Sequence, residues 1–230
     1  MTEARIAALV PSLDVEHTIA GVVQGVREHV EHVLVVDDGS RDGTAREAES
    51  AGAEILRHEE NRGKGAALRG GMERLKQNGF THAFSVDGDG QHLPGEMPAL
   101  LEVCRRDPAA IVVGARRREE HQEVAGIRRF GNDFANWWVA LAAGREFPDT
   151  QSGFRIYPIE PTLGLGTRTD HYEFESEVLI LAARRGIGVR SCEVRVHYPP
   201  PDELVSHYDP WVDTIRIIRT VVPFAARLRR

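Results

Sequence analysis

Cysteine is scarce in this chain: two in 230 residues, Cys104 and Cys192, with no metal-type spacing between them. That argues against a disulfide framework and suits a reduced, cytosolic protein. Long apolar runs are missing as well, and none approaches the roughly 18 residues a membrane span needs. The acidic start "MTEARIAALVPSLD" holds too short an apolar run for a signal peptide. A membrane partner is therefore expected only at the surface. Positive charge is not in excess either: a formal net charge of −6 opposes a chain built to coat nucleic acid. Neither an internal repeat nor a linker-like stretch breaks the sequence.

What is present is ordinary globular material, 41% hydrophobic and 28% charged, long enough to bury a core as one domain. "IAALVP" (6–11), "HVLVVDD" (32–38), "AEILRH" (53–58), "HAFSVDGD" (82–89) and "AAIVVGAR" (109–116) read as buried strands that end in polar or glycine-rich turns. Residues near 15–29, 42–51, 64–78 and 97–106 read as the helices between them. This alternation predicts an α/β fold with a mostly parallel, helix-covered sheet, whose ligands sit outside the carboxyl ends of the strands. The second half is less regular, with helices expected over 126–144 and 173–186 and strands at 152–158 and after Gly188. The boundaries expected within the single domain are 1–115 as the donor-binding half, 116–213 as the acceptor-side half and 214–230 as a basic tail.

The polar turns carry the candidate chemistry. In "SVDGDGQH" the strand reading puts Asp87 and Asp89 on one side of the chain, where both carboxylates converge. Two anions held together are costly unless a cation or proton neutralises them. Oxygen ligands with the Gln91 amide suit Mg2+ or Mn2+, which would also grip a diphosphate; the bland alternative is a solvated Asp/Gly turn. In "VVDDGSRDGT" Asp38 ends a strand where it can meet a nucleobase or ribose, and Asp42 is placed to cap the next helix. Asp38, Ser40, Asp42, Gly43 and Glu49 approach a calcium-loop pattern, but the strand-like "HVLVV" stands where an EF-hand needs a helix. "NRGKGAALRGG" is no Walker loop, since His58 and Gly65 occupy diagnostic positions. Its glycines indicate either close packing or backbone approach to a ligand, with Lys64 near a nucleotide.

Taken together and in order, Pro11, "VVDDGSRDGT", "GKGAALRGGM", "DGDGQH", "GAR" (114–116), "DTQSGFRIYP" (149–158) and "YEFESEVLILAARRG" (172–186) resemble the family 2 glycosyltransferases of the GT-A fold. The similarity is greatest to enzymes that transfer a sugar to dolichyl or polyprenyl phosphate. The resemblance implies a nucleotide-sugar donor, with Pro11, Asp38 and Lys64 on the nucleotide side. It also implies Asp87, Asp89 and Gln91 on the metal and diphosphate, and Arg116, Arg117, Arg128 and Arg129 facing phosphates. Asp149, Ser152 and Arg155 would shape the acceptor side, and Asp89, Asp149, Arg128 and Arg129 are the implied catalytic set. Many relatives carry "PxYNE" where this chain has "PSLDVE", with Glu16 the residue available to compensate.

The implied reaction is inverting displacement at the sugar C1, and glucose-type and mannose-type donors both remain open. A lipid-phosphate acceptor is already ionised near neutral pH and needs no base. A hydroxyl acceptor would require one, for which Asp149, Glu173 or Glu175 is available; Glu173 and Glu175 are equally residues that suit a helix start. A sugar-nucleotide-binding protein without transfer activity is the non-enzymatic alternative. "TIRIIRTVVPFAARLRR" (214–230) has no acidic residue and reads as a basic amphipathic helix, expected either at the cytoplasmic face of an anionic membrane or docked on protein. The oligomeric state stays open.

Overall fold

The computed structural model describes residues 4–116 and 136–197, together with Arg216 and Thr220. Seven strands form one sheet in the order β3-β2-β1-β4-β6-β5-β7. They are β1 (Ile6–Ser12), β2 (Val33–Asp37), β3 (Glu54–Arg57), β4 (His82–Ser85), β5 (Ile111–Arg116), β6 (Arg155–Pro158) and β7 (Val189–Val194). Pairing is parallel for β1 with β2 and β4, for β2 with β3 and for β5 with β7. Only β6 runs antiparallel, between β4 and β5.

The strands read as unbroken apolar runs because helices cover both faces of the sheet. On one face α1 (Ile19–Arg27), α2 (Thr44–Ser50) and α4 (Met97–Arg106) bury a layer with Val10, Val35, Phe84 and Phe154. In α1 the buried residues are Ile19, Val22, Val23 and Val26, and in α4 Met97, Leu100, Leu101 and Cys104. Both sets follow the i, i+3, i+4, i+7 spacing of a single helix face. On the other face α3 (Lys64–Gln77), α6 (Ile159–Leu163) and α7 (Glu173–Arg184) pack with Leu9, Leu34, Val36 and Tyr157. Residues 136–143 form a further helix, α5, whose Val139 and Ala142 join this second layer.

The expected α/β architecture is present, with one correction that bears on the site. The strand read through residue 89 stops at Ser85, and Asp87 and Asp89 lie in the turn that follows. Val86 N still donates to Leu9 O at 3.1 Å, but Gly90 then takes a φ of 76°, which only a turn accommodates. The same-side rule for strand residues therefore does not place these carboxylates. Arg117, Arg128, Arg129 and most of the 126–144 and 214–230 segments lie outside the described residues. Arg216 and Thr220 are helical, the Thr220 hydroxyl donating to Arg216 O at 3.0 Å. Among the described residues no helix is long and apolar enough to cross a membrane.

Close packing of α3 on β1 gives glycines of opposite tolerance. A Cβ on Gly71 would overlap Leu9 and meet Val36 Cγ2 at 3.1 Å, whereas one on the exposed Gly21 of α1 would meet nothing within 4 Å. Gly71→Ala is expected to lower stability by about 1–3 kcal/mol, and Gly21→Ala to raise it by about 0.5–1 kcal/mol. Urea denaturation midpoints of the two variants check both signs.

Candidate active site

Two loops at the carboxyl ends of β1 and β2 are knitted together before any ligand is considered. Asp38 N donates to Ser12 O at 2.8 Å, Asp14 N to Ser40 Oγ at 3.0 Å, Val15 N to Thr44 Oγ1 at 2.8 Å and Glu16 N to Asp42 Oδ2 at 3.1 Å. In return, Arg41 N donates to Asp14 Oδ1 and Gly43 N to Glu16 Oε2, both at 2.8 Å. Asp14 adopts φ 48°, a left-handed conformation that Asp tolerates better than most residues. The "PSLDVE" departure is thus accounted for within the protein, and the Glu16 carboxylate is spent on the partner loop. Asp42 Oδ1 accepts from Thr44 N at 2.9 Å just before α2, but the cap position is Gly43, so Asp42 is one residue short of the capping place expected for it, and β2 stands where a calcium loop would need a helix.

Asp38 is buried and already occupied. Its oxygens accept from Arg62 N at 3.0 Å and Gly63 N at 2.7 Å, and His58 Nδ1 lies 2.6 Å from Oδ1. It holds the loop that leads into α3. Gly63, at φ 96°, and Gly65 then let that helix start press against residues 169–174, a Cβ on Gly65 falling 2.7 Å from Phe174 Cβ and 2.9 Å from Thr169 O. The packing explanation of these glycines is the one the structure supports. Pro11 is buried within β1, opposite Val36 of β2.

This packing delivers Lys64 to the turn after β4. Its Nζ is 2.6 Å from Asp87 Oδ1 and 3.2 Å from Glu175 Oε1 on the first turn of α7. Burial alone would lower the lysine pKa, but Asp87 and Glu175 outweigh it and raise it, which favours the ammonium form. Burial likewise opposes the Asp87 anion, and Lys64 more than compensates, leaving its pKa lowered. Gly153 lies directly over the pair: an added Cβ would collide with both Asp87 oxygens and sit 2.7 Å from Lys64 Nζ. His92 stacks on Phe154 with ring centroids 4.9 Å apart, its Nε2 3.7 Å from Asp87 Oδ2. Burial pushes its pKa down to about 4, so the ring is neutral at pH 7.

Asp89 differs from Asp87. Its carboxylate accepts from Gln91 N at 3.0 Å and from the Gln91 side-chain amide at 2.9 Å. Burial, and then the neighbouring Asp87 charge, push its pKa up to about 6. A carboxylate so disfavoured as an anion is one that a cation would relieve. Among the described residues no three His, Cys, Asp or Glu side chains converge as a complete metal cage. Two carboxylates completed by substrate phosphates are nonetheless a usual donor set for Mg2+, so the residues fit a hard divalent cation that arrives with a diphosphate.

The acceptor-side candidates form a frame. Arg116 Nε and Nη2 donate to Asp149 at 2.7 and 3.0 Å, and Asp149 Oδ1 also accepts from Gln151 N at 3.0 Å and Ser152 N at 3.1 Å. Arg155 is fully buried and donates to the carbonyls of Ser152, Thr150 and Glu175 at 2.6, 2.8 and 2.9 Å. The Ser152 hydroxyl accepts from Phe154 N at 3.3 Å. Arg116, Asp149, Ser152 and Arg155 thus shape the 149–155 loop that carries Gly153, and they do so by bracing its backbone. Sequence reasoning missed the Lys64–Glu175 contact, the Gly153 approach and the place of His92. Spacing along the chain carries no signal for contacts that distant.

The sequence profile of glycosyl transferase family 2 matches residues 8–157. The UDP-N-acetylglucosamine–dolichyl-phosphate N-acetylglucosaminyltransferase of Methanococcus voltae is 26% identical, over 86% of this chain and 88% of its own. The undecaprenyl-phosphate mannosyltransferase of Micrococcus luteus is 26% identical, over 84% of this chain and 83% of its own. Among solved structures, glucosyl-3-phosphoglycerate synthase of Mycobacterium tuberculosis, in complex with Mn2+, uridine-diphosphate-glucose and phosphoglyceric acid, superposes with a TM-score of 0.76. It is 20% identical and covers 97% of this chain and 80% of its own. The shared architecture is the GT-A fold.

The Asp149 brace has a definite pH signature. Burial opposes its anion, but Arg116 and the backbone N–H groups hold the pKa down to about 2, against an ordinary 3.8. That lowering is worth roughly 2 kcal/mol to the folded state. The contribution is present above about pH 4 and is lost as pH falls toward about 2. Asp149→Asn is expected to cost about 2 kcal/mol at pH 7, with the gap narrowing below pH 4; urea melts across that range measure it.

Proposed function

The chain belongs to glycosyl transferase family 2, and from that premise we propose that it transfers a sugar from a nucleotide-diphosphate sugar to a polyprenyl or dolichyl phosphate, with inversion at C1. The observation that carries the donor half is the half-buried carboxylate turn, Asp87 and Asp89 beside Lys64, at the carboxyl end of β4. The acceptor half is supported by the two relatives above, whose names specify dolichyl phosphate and undecaprenyl phosphate.

Asp87, Asp89 and Gln91 would hold Mg2+ or Mn2+, the Gln91 side-chain N–H also donating to Asp89. Such an ion, when bound, offsets the charge that builds on the departing diphosphate. Lys64, held in place by its two carboxylate partners, would present a preorganised N–H donor at the same turn. Asp38 positions the loop along which the nucleoside would lie, and Arg117, Arg128 and Arg129, outside the described residues, are assigned to the phosphates. No proton need leave a phosphate acceptor, which agrees with Asp149: held at about 2 by Arg116, it is a poor base. The tail 214–230 is assigned to an anionic lipid surface, where such an acceptor resides.

The test supplies UDP- and GDP-sugars with Mn2+ to three acceptors: a short polyprenyl phosphate, the corresponding alcohol and a soluble saccharide. Transfer to the phosphate alone, inverted at C1 by NMR, is the expected result. Asp89→Asn should lower kcat/KM by about 100-fold or more. The rate should rise to a plateau above about pH 7, once the acceptor phosphate, whose second pKa is about 6, has lost its proton. Transfer to the alcohol or the saccharide would establish the hydroxyl-acceptor reaction instead. Donor binding without turnover would establish a sugar-nucleotide-binding protein.

A further inference from the structure

In the proposed reaction Glu175 touches neither donor nor acceptor, although among the described residues it is one of the most deeply buried acids, 3% exposed. Its Oε1 is 3.2 Å from the Lys64 ammonium, which lies 2.6 Å from Asp87 Oδ1 on its other side. The Lys64 side chain is 12% exposed, so water screens these charges little. The arrangement is also fixed: Arg155 donates to Glu175 O at 2.9 Å, and Gly153 closes over Asp87 and Lys64. Burial pushes the Glu175 pKa above the ordinary carboxylate value, and Lys64 and Arg155 offset only part of that rise.

Consider the charges that a divalent cation at Asp87 would meet. If Lys64 answered to Asp87 alone, the two would cancel, and the incoming cation would face an ammonium already hydrogen-bonded to its ligand. A second carboxylate on the far side of that ammonium changes the balance. Lys64 is then neutralised by Glu175, and the Asp87 charge remains to be shared with another cation. We propose that Glu175 is a positioning residue that acts through Lys64: by sharing the lysine's charge it keeps Asp87 competent to bind a divalent cation. The inference rests on the reading of Asp87 and Asp89 as the cation and diphosphate site.

The test measures Mn2+ uptake directly, by loss of the free-ion signal in electron paramagnetic resonance, with and without UDP, on the full chain. Wild type is compared with Glu175→Gln, Lys64→Met and the double variant. Glu175→Gln should weaken Mn2+ binding roughly tenfold or more, the scale on which one adjacent charge moves a carboxylate equilibrium. In the Lys64→Met background the same change should alter Mn2+ binding by no more than about twofold, because the coupling runs through the lysine. Should Glu175→Gln fail to fold, Glu175→Asp replaces it, with a smaller loss in the same direction. An equal loss in both backgrounds would mean that Glu175 acts on the cation directly, and no loss in either that it is merely structural; both overturn the proposal. Absence of Mn2+ uptake by wild type, even with UDP, would overturn the donor-site reading on which it rests.

Discussion

A largely enclosed ammonium held between two carboxylates is the constraint around which the site is built. Removing a charge from water costs several kcal/mol unless partners replace the lost hydration. Lys64 therefore requires Asp87, from the turn after β4, and Glu175, from α7, to stand within reach together. That requirement fixes how the start of α3 meets the rest of the chain. It accounts for the side-chain-free positions nearby: Gly65 where α3 meets residues 169–174, and Gly153 where the 149–155 loop crosses the ion pair.

The remaining polar residues divide between this centre and its supports. Asp149 with Arg116, and Arg155 with three backbone carbonyls, hold the loop that covers Asp87. Asp38 secures the entry to α3, while Glu16 and Asp14 fasten the β1 loop to the β2 loop. Much of what looks like a ligand-binding inventory in the sequence is thus internal bracing. Asp89 is different: its anion is disfavoured by burial and by Asp87, and no basic side chain of the described residues forms an ion pair with it.

The architecture was legible because a sheet covered on both faces writes each strand as an unbroken apolar run. The helices α1 and α4 announce themselves through the spacing of Ile19, Val22, Val23 and Val26 and of Met97, Leu100, Leu101 and Cys104. The candidate site was legible too, as polar turns at strand ends. Its internal geometry was not. Asp87 and Asp89 lie in the turn beyond Ser85, near enough for the Asp87 charge to push the Asp89 pKa up, and not on an alternating strand, a distinction that residue types do not encode. Arg155 and Asp149 read as acceptor contacts because their backbone partners leave no mark in the side-chain sequence. Lys64 and Glu175 are 111 positions apart, and only the folded chain brings them together.

In the proposed donor complex Asp87 and Asp89 together receive a divalent cation while Lys64 stays with Glu175. Anomalous X-ray scattering from crystals grown with Mn2+ and UDP would locate that cation. One Mn2+ peak is expected within coordination distance of oxygens from both carboxylates, roughly 2.0–2.2 Å for a small hard cation, with the Lys64–Glu175 contact retained. A Mn2+ peak that touches neither carboxylate, or UDP bound with Lys64 still closed on Asp87 and no metal between the aspartates, would contradict it.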